Sequence, residues 1–516
     1  MCSSDVSALD QEKAEKLYKI RHSLAHVMAQ AVLEIRPNTR LAFGPPIDTG
    51  FYYDFDFVEP ITPELFPDIE KRMRKIVGEK QKFEQSSLEL ADAIVKLGQS
   101  GEEYKVEYAK ELGQKGETSL GFYTNGSFTD MCRGPHVEHT GQIPGDCFKL
   151  DTLAGAYWRG DEKRPQLTRI YALAFLTRKE LEDFIEKRRL AQERDHRKLG
   201  TSLELFTIEE EIGSGLPLWL PNGTVLRDEL EKFAKEIEFT AGYQRVSTPH
   251  ITKEGLYYKS GHLPYYKDGM FPPMEVDGIN YYLKPMNCPH HHMIYKTRPR
   301  SYRELPFRLA EYGTCYRYED SGALAGLLRV RCLTMNDAHI YCRPDQLEEE
   351  FTAVLKLHDF YYSKFRLSDY WMRLSTHDAV KSEKYVDNPE AWAKTEGILK
   401  QVLDKSGLRY TVGSGEAAFY GPKVDFQIKN VIGREETAST NQLDFAMPDR
   451  FDLTYINSEG QHERPYIIHR APLGTHERFL AFLIEHFGGA FPTWMAPKQV
   501  MVVPVGEKFH AYAHEV

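Results

Sequence analysis

Between Thr177 and Lys198 the chain reads TRKELEDFIEKRRLAQERDHRK, and no other stretch limits the fold as much. Its apolar positions, Leu181, Phe184 and Ile185, keep helical spacing. Charge at this density cannot sit in a core, because ions leave water at a high cost unless each is paired. The segment therefore reads as a surface helix, either a linker with a basic end between two domains or a solvated helix on one of them. The chain has 516 residues. At roughly 100–200 residues per domain, about three domains are expected. The divisions read as 1–175, a linker helix over 176–203, a large domain over 204–497, and the start of a third over 498–516.

Ahead of the linker, residues 16–35 predict a helix, with Leu17, Ile20, Leu24, Val27, Met28 and Ala31 at helical spacing. LAFGPPIDTGFYYDFDF, rich in turn residues and aromatics, predicts strands and a hairpin, and a helix follows near Pro63–Lys82. Residues 119–172 read mainly as strands and loops. Beyond the linker, Leu226, Leu230, Phe233, Ala234 and Ile237 mark an amphipathic helix, followed by a strand ending at Pro249. Helices and strands then mix without a βαβ rhythm, so an α+β domain rich in antiparallel strands is expected. The last piece, KQVMVVPVGEKFHAYAHEV, reads as a buried strand and the beginning of a helix. Those two elements cannot form a core, so the chain is expected to stop inside a third domain.

Hydrophobic residues make up 41% and charged residues 28% of the chain, enough apolar material for real cores. No apolar run approaches the ~18 residues of a membrane span. The first residues, MCSSDVSALDQEKAEKLYKI, are polar and acidic, unlike a signal peptide. Seven unevenly spaced cysteines make no disulfide framework and fit a reducing, cytoplasmic location. The net charge of -10 repels nucleic acid globally, so any such partner must meet local basic patches.

Three groups of residues carry chemistry. His22 and His26 in RHSLAHV are spaced i, i+4 and lie almost opposite the apolar stripe centred near Leu24 and Ala31. Cys132 and His136 in CRGPH repeat that spacing on another segment. These residue types ligate metals, and they also position a water for hydrolysis. In PMNCPHHHM, Cys288 precedes His290, His291 and His292, but adjacent histidines diverge and cannot all reach one ion. Finally, Arg317, Tyr318 and Glu319 precede a small-residue loop that returns through Arg329 and Arg331, and Arg478 opens an apolar helix. On a strand, alternating arginines point into one groove, where guanidiniums clamp phosphates and carboxylates. Neither a Walker loop nor a Gly-rich dinucleotide turn is present, so arginines would hold any nucleotide.

STPHI, YRYE with its returning arginines, and LGTHERF resemble the three signature motifs of class II aminoacyl-tRNA synthetases. HSLAHV, FYYDFD, DMCRGPH, AGAYWRGD, KPMNCPHH, NDAHIYC, AAFYGPKVDF and NQLDF resemble the threonyl-tRNA synthetase family in order along nearly the whole chain. The resemblance implies a class II α+β catalytic domain with an antiparallel six-stranded sheet flanked by helices, preceded by an α+β editing domain. It implies a homodimer, with Pro249 at the dimer-forming motif. The family's N-terminal ubiquitin-like domain is missing, and its anticodon-binding domain is represented only by 498–516.

The implied reaction is ATP-dependent activation of L-threonine and its transfer to tRNA(Thr), with Mg2+ accompanying the ATP. The resemblance puts Zn2+ on Cys288, His339 and His469, and the substrate hydroxyl on Asp337. Arg317 and Arg478 match phosphate-binding positions, Glu319 an adenine contact, and Arg329 a support of the triphosphate. Tyr420, Lys423 and Gln442 match residues near the amino acid and adenylate, and His262 a histidine involved in transfer. Lys105 and Asp130 join His22, His26, Cys132 and His136 in a pocket that hydrolyses seryl-tRNA, by water activation rather than metal. Such a pocket is needed because serine keeps the hydroxyl that distinguishes threonine from valine. Two positions depart from the pattern: Cys332 replaces an expected glycine, and Leu333 an aromatic expected to stack on adenine.

Overall fold

The computed structural model describes residues 3–378, 383–430, 433 and 435–516. It forms two compact units, Met1–Glu186 and Lys187–Val516. The charged helix Arg178–Glu193 runs through the division, and of its side chains only Leu181 is buried. The expected single linker helix is in fact two helices. Asp195 ends the first and caps the next, His196–Ser202, by accepting from the Arg197 amide at 2.8 Å.

The first unit is built on the helix Ser3–Ile35. A sheet in the order Arg40–Leu41, Gly50–Asp56, Gln166–Ala174, Phe148–Tyr157 shares one core with it, where Leu24 and Met28 join Phe51 and Phe55. A smaller sheet of Phe83–Glu89, Ser119–Asn125 and Phe128–Met131 has its own core with the helices Leu90–Gln99 and Glu103–Gln114. The one-sided stripe predicted for the first helix is an underestimate, since every residue from Ser23 to Val32 is buried. The face opposite Leu24 is covered as well: Gln30 accepts from Asn125 at 2.8 Å, and the His26 ring packs edge-on to Phe128. His26 is thus packed within a buried layer, while His22 is only half-buried.

The second unit centres on an eight-stranded sheet in the order Gln244–Arg245, Phe307–Tyr316, Cys332–Cys342, Tyr466–Arg470, Glu435–Asp444, Lys423–Lys429, Tyr370–Thr376, Tyr410–Ser414. The inner six strands pair antiparallel, and each edge strand pairs parallel to its neighbour. The expected six-stranded sheet is therefore present, with a short parallel strand added at either side. The helices Pro221–Thr240, Leu347–Lys364, Pro389–Ser406 and His476–Phe487 share a core with strand residues such as Ala338, Ile340 and Ile468. Strand side chains alternate between faces. Burying Ala338 and Ile340 under the helices therefore turns Asp337 and His339 to the opposite face.

Three expectations need correction. The strand expected to end at Pro249 is regular only over Gln244–Arg245. Arg329 and Arg331 lie in the loop between Phe307–Tyr316 and Cys332–Cys342, not on a strand. The predicted buried strand after Lys498 forms no regular element, with Val500, Val503 and Val505 exposed at 83%, 71% and 90%. A strand exists only through a neighbour's hydrogen bonds, and no described strand lies beside this segment.

Candidate functional site

In the second unit, His339 and His469 are direct partners in the antiparallel pair Cys332–Cys342 and Tyr466–Arg470. Cys288 opens the helix Cys288–Tyr295. One ligand atom from each of the three lies within 4.8 Å of the others. The rings are held from behind. His469 Nε2 is 2.9 Å from Asp444 Oδ2, and Asp444 Oδ1 accepts the amides of Ala446 and Met447. His339 Nδ1 is 2.7 Å from His291 Nδ1, which leaves His339 Nε2 buried without a partner. Burial, reinforced by the charge of Asp337, pushes the Cys288 thiol well above its ordinary pKa. Burial likewise raises Asp337, which accepts from Asn287 Nδ2 at 3.4 Å. Donor identity, convergence and an orphaned ring nitrogen all fit a tetrahedral N/S metal such as zinc.

A cavity of about 380 Å³ opens from this cluster, with Cys288, Arg317, Asp337, Gln442, His469 and Arg478 on its walls. Tyr420 also lines it and donates its hydroxyl hydrogen to Gln442. Arg317 reaches only the carbonyl of Pro285, at 3.4 Å, and no ion pair to Arg317 or Arg478 is found among the described residues. Thr475 caps the helix His476–Phe487 and so fixes the start from which Arg478 projects. Two free guanidiniums on one wall suit an anion.

Other predicted residues are not gathered there. Lys423 pairs with buried Asp425 at 2.8 Å, which Thr440 also holds. Glu319 and Arg329 bind each other at 2.8 Å, away from the cavity walls. His262 lines a neighbouring cavity of about 280 Å³ that shares Cys288, Tyr420 and His469 with the first. Its Nδ1 is 2.7 Å from Ser260 Oγ, and burial, then Arg317, lowers its pKa to about 4.

Sequence reasoning missed Asp444 and Glu311. Asp444 was accessible in principle, since it shares a strand face with Gln442 two residues away. Glu311 gave no local signal; it bonds His291 from a strand twenty residues distant. The side chains of the histidine run diverge. His291 and His292 are buried against Glu311 and Tyr341, while both ring nitrogens of His290 lack partners.

The first unit brings its predicted set together. Cys132 Sγ lies 3.1 Å from His22 Nε2 and 3.3 Å from His136 Nε2, and Ser23 Oγ is 3.2 Å from His136 Nδ1. His26 Nε2 is 3.9 Å from Asp130. Lys105, 1% exposed, pairs with Asp130 at 2.6 Å and Glu102 at 3.0 Å, and Tyr53 donates to Asp130 at 2.7 Å. Burial would strip Lys105 of its charge, but the two carboxylates outweigh it and raise its pKa. Burial lowers His22, lowers His26 to about 4, and takes His136 far below the ordinary imidazole range. It also pushes the Cys132 thiol up to about 12. At neutral pH the cluster is thus a protonated thiol among neutral bases, beside a fixed cation. It opens on a cavity of about 570 Å³ walled by Phe43, Tyr52, Tyr53 and Tyr108.

With this geometry established, comparison with known proteins gives the following. Residues 274–487 match the family described as tRNA synthetase class II core domain (G, H, P, S and T). Residues 120–171 match the Threonyl and Alanyl tRNA synthetase second additional domain. Over 512 residues the chain is 49% identical to the threonine–tRNA ligase of Geobacillus sp. (strain WCH70), covering 99% of this chain and 79% of that protein. It is 48% identical to threonine–tRNA ligase 1 of Bacillus subtilis (strain 168), again over 99% and 79%. Among solved structures, the RNA binding domain of threonyl-tRNA synthetase from Cryptosporidium parvum Iowa II aligns with a TM-score of 0.59 at 40% identity, covering 62% of this chain and 79% of that one. A putative threonyl-tRNA synthetase from Aeropyrum pernix aligns with a TM-score of 0.56 at 30% identity, covering 63% and 75%.

Proposed function

The chain belongs to the threonine–tRNA ligase family, and we propose that its second unit activates L-threonine with ATP for tRNA(Thr) while its first unit hydrolyses mischarged seryl-tRNA. One observation carries this reading: two arginines with no ion pair among the described residues line the same cavity as Cys288 and His469, two members of a converging Cys–His–His set.

Arg317 and Arg478 bind the ATP phosphates and meet the negative charge that grows on the α-phosphate as the threonine carboxylate attacks. Mg2+ enters with the nucleotide. Asp337 accepts the substrate hydroxyl. Tyr420 and Gln442, already bonded to each other, and Lys423, steadied by Asp425, orient the amino acid and adenylate. Glu319 contacts the adenine, and Arg329 supports the triphosphate. His262 receives the proton of the attacking tRNA hydroxyl. Cys288, His339 and His469 would hold Zn2+. When bound there, zinc supplies a Lewis acid with open positions that an amine and a hydroxyl fill and a methyl group cannot.

In the first unit, one of the neutral rings of His22, His26 and His136 takes the proton of a water as it attacks the seryl ester and returns it to the departing ribose oxygen. Cys132 donates its thiol hydrogen to one ring and so fixes that ring's orientation. The cation of Lys105, set by Asp130 and Glu102, favours the oxyanion that forms.

The family further supports a homodimer and a cytoplasmic location. Among the described residues, no helix is long and apolar enough to cross a membrane. Threonine-dependent exchange of pyrophosphate into ATP tests the reading. Exchange above the threonine-free background is expected from the zinc-loaded chain, and its absence from a folded, zinc-loaded sample would overturn the activation claim.

A further inference from the structure

Behind the Cys288–His339–His469 set runs a line of buried groups that the roles above do not use. Glu311 faces Asp337 across the strand pair and is 4% exposed. Its carboxylate accepts the Thr248 amide at 2.7 Å and the Thr248 hydroxyl at 2.9 Å. Lys284 Nζ lies 3.4 Å from the same carboxylate and donates to Thr248 Oγ1 at 2.7 Å. A carboxylate held this way can only accept hydrogen bonds.

The hydrogens downstream can then be placed. His291 Nε2 is 3.0 Å from Glu311 Oε2, so it carries a hydrogen. A neutral imidazole has only one, which makes His291 Nδ1 an acceptor. The 2.7 Å contact between His291 Nδ1 and His339 Nδ1 therefore requires His339 to donate from Nδ1. The lone pair of His339 is left on Nε2, the nitrogen that is buried without a partner. The opposite arrangement, an imidazolium at His291, would force the hydrogen of His339 onto Nε2, where it would face nothing and block ligation.

We propose that His291, oriented by Glu311, is a positioning residue that fixes His339 in the Nδ1–H tautomer and thereby sets how tightly the cluster holds Zn2+. This rests on the reading of Cys288, His339 and His469 as the metal ligands. Partners that orient a ligating histidine are worth about 10–100-fold in metal affinity.

The test is zinc affinity of the full chain, measured by competition with a chromogenic chelator, with thermal unfolding of the zinc-free proteins as the folding check. His291→Leu removes the acceptor and is expected to weaken zinc binding about 10–100-fold. His291→Asn restores an acceptor oxygen near the Nδ1 position and is expected to stay within about threefold of the parent. Glu311→Gln presents an amide that can donate to His291 Nε2 and is expected to lose about tenfold. Cys288→Ala separates the two claims. Parent-like zinc binding in Cys288→Ala overturns the ligand reading and the relay with it. Loss in Cys288→Ala with parent-like affinity in His291→Leu overturns the relay alone. Equal weakening by Leu and Asn also overturns it, because a packing role would not distinguish them. Should His291→Leu not fold, His291→Asn and Glu311→Gln decide: parent-like affinity in the second, or loss in the first, counts against the relay.

Discussion

The two cysteine–histidine clusters bring the same residue types together in different surroundings. In the first unit the thiol of Cys132 lies within hydrogen-bond distance of two of its rings, and a buried ion pair, Lys105 with Asp130, sits beside the set. In the second unit no hydrogen bond joins Cys288, His339 and His469; the two rings are held from outside by Asp444 and His291, and Asp337 and Asp444 are among the nearby buried charges. Side chains that satisfy one another beside a buried ion pair suit a set of bases. Rings buttressed from behind, with a ring nitrogen left without a partner, suit a ligand set. The difference lies in the surroundings, since near a low-dielectric interior a neighbouring charge is worth several kcal/mol.

A set of substitutions and a pH series would break or sharpen this contrast. The largest effect is expected on the hydrolytic side. His22→Ala with His26→Ala should lower seryl-tRNA hydrolysis by about 10²–10⁴-fold and leave pyrophosphate exchange unchanged; hydrolysis at parental rate would remove the bases from the argument. Arg478→Ala should lower exchange by about 10²–10³-fold while hydrolysis survives, which a paired assay on one preparation reads directly. Asp444→Ala should weaken zinc about 10–100-fold in chelator competition, whereas loss of Ser23, the hydroxyl behind His136, should not touch zinc at all.

The smallest expected effect concerns pH. Because burial holds His26 near 4, below its unfolded value, the ring stays a base as pH falls from 7 towards 5. Hydrolysis should therefore be nearly flat over that range. Stability behaves differently, since the unfolded chain takes up a proton that folded His26 refuses. Stability is then fully present above the unfolded imidazole value of about 6.5 and is lost as pH falls from there towards 4. A rate that halves near pH 6.5 in a still-folded sample would place the working base on an unperturbed histidine.

Much of this was legible in the sequence, and what was missed has a physical pattern. The i, i+4 spacing placed His22 with His26 and Cys132 with His136, because helix and loop neighbours are local. No spacing could join Cys288 to His339 and His469, which meet only through strand register; there the family resemblance carried the expectation. The arginines were expected on a strand but lie in a loop, and Arg329 turned to Glu319. The burial of both faces of the first helix was also hidden, since the second face is covered by histidines and glutamine bonded to a distant sheet, not by apolar residues. The apolar run after Lys498 misled for the converse reason: strand propensity is context, and among the described residues no strand pairs with it.

The most direct measurement is the zinc content of the full chain and of two cysteine variants after dialysis against a weak chelator. The account predicts one zinc per chain in the parent, one in Cys132→Ala, and none in Cys288→Ala. Two zincs in the parent, or a zinc lost with Cys132 and kept without Cys288, would contradict the assignment of metal to one cluster and water to the other.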